Sequence, residues 1–138
     1  DQKVFIKSFS GASTNDMKSY AVPTKDHGND LVILHCGTND LRNSSKSANM
    51  IAKSIFDLAT EIKTNDNDVM ISGIVPRNDE LNIKGKSVNT HLQALCANKF
   101  HFIDNSNITF RHLNLSKIHL NIDGDYVLGR NFVNAINL

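Results

Sequence analysis

The chain has 138 residues, 40% hydrophobic and 21% charged, with 15 Lys and Arg against 14 Asp and Glu for a formal charge of +1. That is one domain, residues 1–138, with room for a real core and the proportions of a soluble globular protein. Near-neutral charge without a basic cluster argues against a dedicated nucleic-acid module; no apolar run approaches the roughly 20 residues of a membrane span, and residues 1–20 do not resemble a signal peptide.

Val4-Phe5-Ile6 opens a short strand ending near Ser8-Phe9, and Gly11-Ala12 turns the chain after it. A hydroxyl at Ser13 or Thr14 caps a helix predicted to reach Tyr20, because it accepts from the free amides of the first turn. Pro23 and Gly28 bracket a loop. Residues 31–36 read as a buried parallel strand, which ends abruptly in Gly37-Thr38-Asn39-Asp40. From Ser44 to about Thr64, Ala48, Ile51, Ala52, Ile55, Leu58, Ala59 and Ile62 recur at intervals of three and four, the stripe of an amphipathic helix.

Asn65 to Asp68 stops that helix, Val69 to Val75 reads as the next buried strand, and Pro76 ends it for want of an amide. Arg77 to Glu80 and Lys84 to Lys86 read as solvated surface. A helix from Lys84 to Asn98 keeps Val88, Leu92 and Leu95 on one side, and Phe100 to Ile103 is a further strand. Residues 105–121 look irregular. A last helix, Asp123 to Ile136, takes Leu128, Phe132, Val133 and Ile136 as its inner face. Strands alternating with helices predict an α/β fold, a mostly parallel sheet sandwiched between helices.

Cys36 and Cys96 read as free buried thiols, which predicts a reducing, cytoplasmic compartment. With no Cys-x-x-Cys and no close His pair, no metal site is expected. His27, His35, His91, His101 and His112 read as surface or packing residues; His35 and His101 sit in apolar runs, the setting of neutral core imidazoles.

In a parallel sheet, Gly11, the Gly37–Asp40 turn and the loop holding His119 all fall on the carboxyl edge, where such folds place their sites. A backbone amide and a side-chain amide donate to an oxyanion, and a histidine acts as general base. Read alone, Gly37-Thr38-Asn39-Asp40 is equally a polar turn after a strand. Taken with Gly11 and with His119-Leu120-Asn121, it resembles the SGNH (GDSL-type) hydrolases, and the likeness runs over the whole chain. The stretches Ser8 to Thr14, Ser72 to Asp79 and Ile118 to Asn121 are similar to metazoan esterase-like domains, some of them associated with retrotransposon proteins.

The resemblance implies a three-layer α/β/α sandwich of flavodoxin-like type and hydrolysis of a small carboxylic ester by Ser-His chemistry. The Gly11 amide and the Asn39 side chain would form the oxyanion hole, and His119 would be the base. Gly37 and Asp40 would support the turn that carries Asn39. No cofactor is implied. Two departures stand against activity. The family's nucleophile lies in a Gly-Asp-Ser motif after a first strand, but the one Gly-Asp pair here is Gly124-Asp125, followed by Tyr126, as though the chain began one strand late. The family's acid, three residues before the histidine, is here Ser116. Its hydroxyl is expected to orient the imidazole without balancing its charge; neutralising the corresponding acid in the serine-protease template costs about 10⁴ in turnover.

The expectation is therefore an inactive or very weak esterase domain. The competing reading is a degenerate, non-catalytic module retained for binding or assembly, as in a mobile-element protein. In the family's sheet order the missing strand lies between those at Val4 and Leu31. These two must either leave a gap, whose open edge favours self-association, or pair directly. Ser10 and Ser116 are the conceivable replacement nucleophiles, and Asp104, Asp123 and Asp125 the conceivable acids, although Asp123 and Asp125 suit the start of a helix better.

Overall fold

The strands at Val4 and Leu31 pair directly. A computed structural model describes residues 4–7 as backbone, residues 13–14, and residues 31–137. Its sheet holds four described strands, β1 (Val4–Lys7), β2 (Leu31–His35), β3 (Asp68–Ser72) and β4 (His101–Ile103), in the order β1-β2-β3-β4. All three pairings are parallel, with Val4 opposite Leu31, Leu31 opposite Asp68, and Met70 opposite His101. Both edges of β2 are thus occupied. The predicted helix from Ser13 or Thr14 to Tyr20 lies outside the described residues beyond Thr14, as do Gly11 and Ser10.

Strand periodicity sorts the core into two halves. Val32, Leu34, Val69 and Ile71 face one side, where α1 (Ala48–Ile62) and α2 (Asn82–Cys96) cover them with Ile51, Ile55, Leu58, Ile62, Val88 and Leu92. Ile33, Met70 and Ile103 face the other, against Leu128, Phe132 and Ala135 of α3 (Ile122–Ile136). The result is the expected three-layer sandwich. Each fully buried aliphatic side chain contributes about 1.5–3 kcal/mol relative to exposure, so α1, with four such large residues, is the best-anchored helix.

Local polar groups set the boundaries. Ser47 caps α1 by accepting from the Met50 amide at 3.2 Å, so the helix starts at Ala48, the first residue of the apolar stripe, and not at Ser44. β3 stops at Ser72, short of Val75, because Asn89 of α2 takes both backbone groups of Ile74, at 2.8 and 2.9 Å. Residues 105–121 hold a 3₁₀ helix, Phe110–His112, and an antiparallel bridge between Leu113 and Leu120.

Three expectations need correction. Val133 and Ile136 face outward on α3, because Asn131 bonds Asn105 and Asn107 beneath the sheet edge at 2.9–3.0 Å and fixes the helix's rotation. His101 is exposed, since as the first residue of β4 it precedes the covered part of the strand. Arg77 and Lys84 are not solvated surface, because each is drawn inward by carbonyls of the turn after β2. Cys36 and Cys96 are free thiols, Cys96 buried and Cys36 half-buried. Among the described residues no helix is long and apolar enough to cross a membrane.

Candidate active site

The turn after β2 depends on Gly37. Its φ of 112° lies in the region that L side chains avoid, and a Cβ there would stand 2.8 Å from Ile55 Cδ1 and 3.1 Å from Ile74 Cδ1. Only glycine lets β2 bend over α1 at this point. The chain then enters a 3₁₀ helix, Thr38–Arg42, with Asn39 half-buried in its first turn.

Asp40 is buried and looks inward. Its Oδ2 accepts from the Thr14 amide at 2.9 Å and the Thr14 hydroxyl at 2.6 Å, while Oδ1 accepts from Lys46 Nζ at 3.2 Å. Asp40 therefore ties the Asn39 turn to the segment that follows β1. Lys84 of α2 closes the far end of the same turn by donating to the carbonyls of Leu41 and Asn43, both at 3.1 Å. The Thr38 hydroxyl is the one buried side-chain polar atom without a partner among the described residues.

Arg77 joins this turn to the loop after β3. Its side chain is 3% exposed, and it donates to Asp79 through Nε at 3.0 Å and Nη2 at 2.6 Å and to the Thr38 carbonyl through Nη1 at 3.3 Å. The guanidinium holds the Asp79 carboxyl below the usual carboxylate range. Asp79 Oδ1 also accepts from the Leu81 amide, which shapes the entry to α2. Sequence reading missed Lys84 because its partners are distant carbonyls, and missed Arg77 because its pairing with Asp79, two residues on, looks like any surface ion pair until the Thr38 carbonyl closes over it.

The same loop reaches the histidine segment, where the Asn78 amide donates to the Lys117 carbonyl at 2.8 Å. Lys117 has a φ of 67°, uncommon for a residue with a side chain, and is held there by its own amide bonding the Asn114 carbonyl at 3.0 Å. Three loops of the carboxyl edge, carrying Asn39, Arg77 and His119, are thus bonded to one another. Gly11 lies outside the described residues.

His119 is exposed, and its ring makes no hydrogen bond or ion pair among the described residues. Ser116 Oγ does not orient the imidazole. It accepts from the backbone amides of His119 at 3.1 Å and Ile118 at 3.3 Å and donates to Asn114 Oδ1. The hydroxyl shapes the turn and leaves the ring alone. Asp123 and Asp125 sit in the first turn of α3, which Asn121 caps by accepting from the Gly124 amide at 2.9 Å.

A separate polar chain runs under the edge. His35 Nδ1 and Ser72 Oγ are 2.8 Å apart, and buried Asn105 donates to Ser72 Oγ at 2.8 Å and to the Gly73 carbonyl at 2.7 Å. Burial lowers the His35 pKa to about 4, so the ring is neutral, a core imidazole as its apolar setting predicts. Among the described residues no group of three or more His, Cys, Asp or Glu is placed to hold a metal ion.

Comparison with solved structures identifies the fold. The chain is similar to a member of the lipolytic G-D-S-L family from Veillonella parvula, at 19% identity over 90% of this chain and 74% of that one, with a TM-score of 0.75. A carbohydrate esterase family 3 protein from Talaromyces cellulolyticus shares 17% identity over 92% and 67%, with a TM-score of 0.79. A GDSL-like lipase from Bacteroides thetaiotaomicron shares 15% over 99% and 87%, at 0.78. The chain has the SGNH-hydrolase fold. No protein-family model and no curated protein matches its sequence.

Proposed function

We propose that the chain is an SGNH-type esterase scaffold whose 138 residues alone hydrolyse esters very weakly or not at all. In such a site serine attacks the ester carbonyl and passes its proton to histidine. Donors of the kind offered by the Gly11 amide and Asn39 hold the oxyanion, the histidine gives its proton to the alcohol as it leaves, and water then cleaves the acyl-serine to release the acid. The carrying observation is the state of His119. Its ring lacks an acidic partner among the described residues, and the Ser116 hydroxyl beside it is committed to the backbone and Asn114. A base without its orienting acid loses about 10⁴ in turnover, and a serine that the base does not reach is no nucleophile.

The test is a fluorophosphonate probe on the folded chain, with peptide mapping and a parallel nitrophenyl-ester assay. No labelling and no turnover above buffer are expected. Labelling at Ser10 or Ser116 that disappears in His119→Ala overturns the proposal.

A cavity favours the second reading, a hydrolase fold kept for binding or assembly. It measures about 310 Å³ between α2 and residues 106–110, at the low end of small-molecule sites (about 300–1,000 Å³). Ile74, Pro76, Ile108 and Phe110 supply apolar wall, and Asn82 and Lys86 supply donors. A small ligand that shifts the Ile108 and Lys86 resonances without being turned over supports this reading. No shift from a broad fragment set counts against it.

A further inference from the structure

α3 carries a second apolar stripe on the side turned away from the sheet. Ile122, Tyr126, Val133 and Ile136 are 87, 70, 43 and 36% exposed. With Gly129 they fall at successive steps of four, three, four and three residues. At about 100° per residue, all five lie within roughly 40° of one line along the helix. A Cβ built on Gly129 meets nothing within 4 Å, so the middle of the stripe is a shallow open notch. Alternation of four and three is the seam one helix offers another.

We propose that this seam is a self-association surface on which α3 of a second copy docks antiparallel. The stripe is self-complementary in that direction. A twofold axis between residues 127 and 128 sets Ile122 opposite Val133 of the second copy and Tyr126 opposite its Gly129. Each aromatic ring then covers an open glycine. A parallel pair stacks Tyr126 on Tyr126 and Gly129 on Gly129, crowding one layer and emptying the next.

Charge agrees with size. Asp123 and Arg130 follow Ile122 and Gly129 along one border of the stripe, both exposed and neither in an ion pair among the described residues. In the antiparallel pair, residues on one border meet residues of the same border, so Asp123 of each copy lies against Arg130 of the other. Antiparallel helices also set each dipole's ends against opposite ends. A pair of 15-residue helices is a small interface, which fits reversible and concentration-dependent association.

Sedimentation equilibrium over roughly a hundredfold concentration range tests this. The wild-type chain is expected to pass from monomer to dimer, and Tyr126→Glu and Val133→Glu to remain monomeric with unchanged circular dichroism. Asp123→Arg and Arg130→Asp should each weaken the dimer several-fold, and the double swap should restore it. Three results overturn the proposal. These are a wild-type chain monomeric throughout, as it would be if other residues of the same chain cover the seam, Tyr126→Glu dimerising normally, or a double swap no better than its singles.

Discussion

Replacing Asp40 with alanine is the sharpest test of how the Asn39 turn is held. The carboxylate is 3% exposed and accepts from the Thr14 amide and hydroxyl and from Lys46. Hydrogen bonds to a charged group contribute about 1.5–3 kcal/mol each, with buried donors left unpaired toward the upper part of that range. Lys46 is 24% exposed and returns to water, so its share is about 0–1 kcal/mol. The two Thr14 bonds share one oxygen and do not add fully, which puts Asp40→Ala at about 3–5 kcal/mol, a large part of the roughly 5–15 kcal/mol that stabilises a domain. Asp40→Asn keeps one acceptor for Thr14 and should cost about 1–2 kcal/mol. Urea unfolding of both variants, with Thr14→Ala closing a double-mutant cycle, gives the readout. Thr14→Ala should cost little once Asp40 is already alanine. The reasoning fails if Asp40→Ala lies within about 1 kcal/mol of wild type or if the cycle is additive.

Three further outcomes follow from burial. His35 has its pKa lowered from 6.5 to about 4, so below pH 6.5 the unfolded chain takes up a proton that the folded chain refuses. Stability should fall between pH 6.5 and 4 by at most about 3 kcal/mol, and His35→Asn should remove that part of the slope; an unchanged slope refutes it. Burial raises the Cys36 thiol from 9.0 to about 12 and the Cys96 thiol to about 11. A disulfide reagent at pH 8 should therefore react about 10²- to 10³-fold more slowly than with a free thiol until urea opens the fold, and prompt reaction of the native chain contradicts this. Gly37→Ala should lose about 2–4 kcal/mol in thermal or urea unfolding, because the new methyl meets Ile55 Cδ1 in a backbone region it disfavours; a neutral result would show that the turn relaxes.

Much of the fold was legible because single-residue periodicities carried it. The runs at Leu31 and Val69 and the spacing from Ala48 to Ile62 each admit one reading. α3 admits two, since residues 128, 132 and 135 and residues 122, 126, 129, 133 and 136 both keep helical spacing. What decides between them is the bonding of Asn131 to two distant asparagines, Asn105 and Asn107, that no pattern within the helix reveals. At the site, the Gly37–Asp40 turn and the His119 loop are linked through Arg77 and Asn78, residues that read as solvated surface in the sequence. The work of Ser116 was misread, although Asn114 two residues before it is the sequence mark of a side chain closing a turn.

Arg77 gives the carboxyl edge a frame that owes nothing to any reacting group. Its bonds run to the Asp79 carboxylate and the Thr38 carbonyl, and the neighbouring Asn78 amide carries the link on to Lys117. A nucleophile or an acid can be removed from such an edge by substitution without loosening the loops around it, because neither belongs to the bonds that hold them. The shape of the edge and its chemistry are therefore separable characters, free to be lost or kept independently. A lineage that abandons the reaction inherits an edge whose loops stay bonded to one another, and one that regains a serine starts from the same frame.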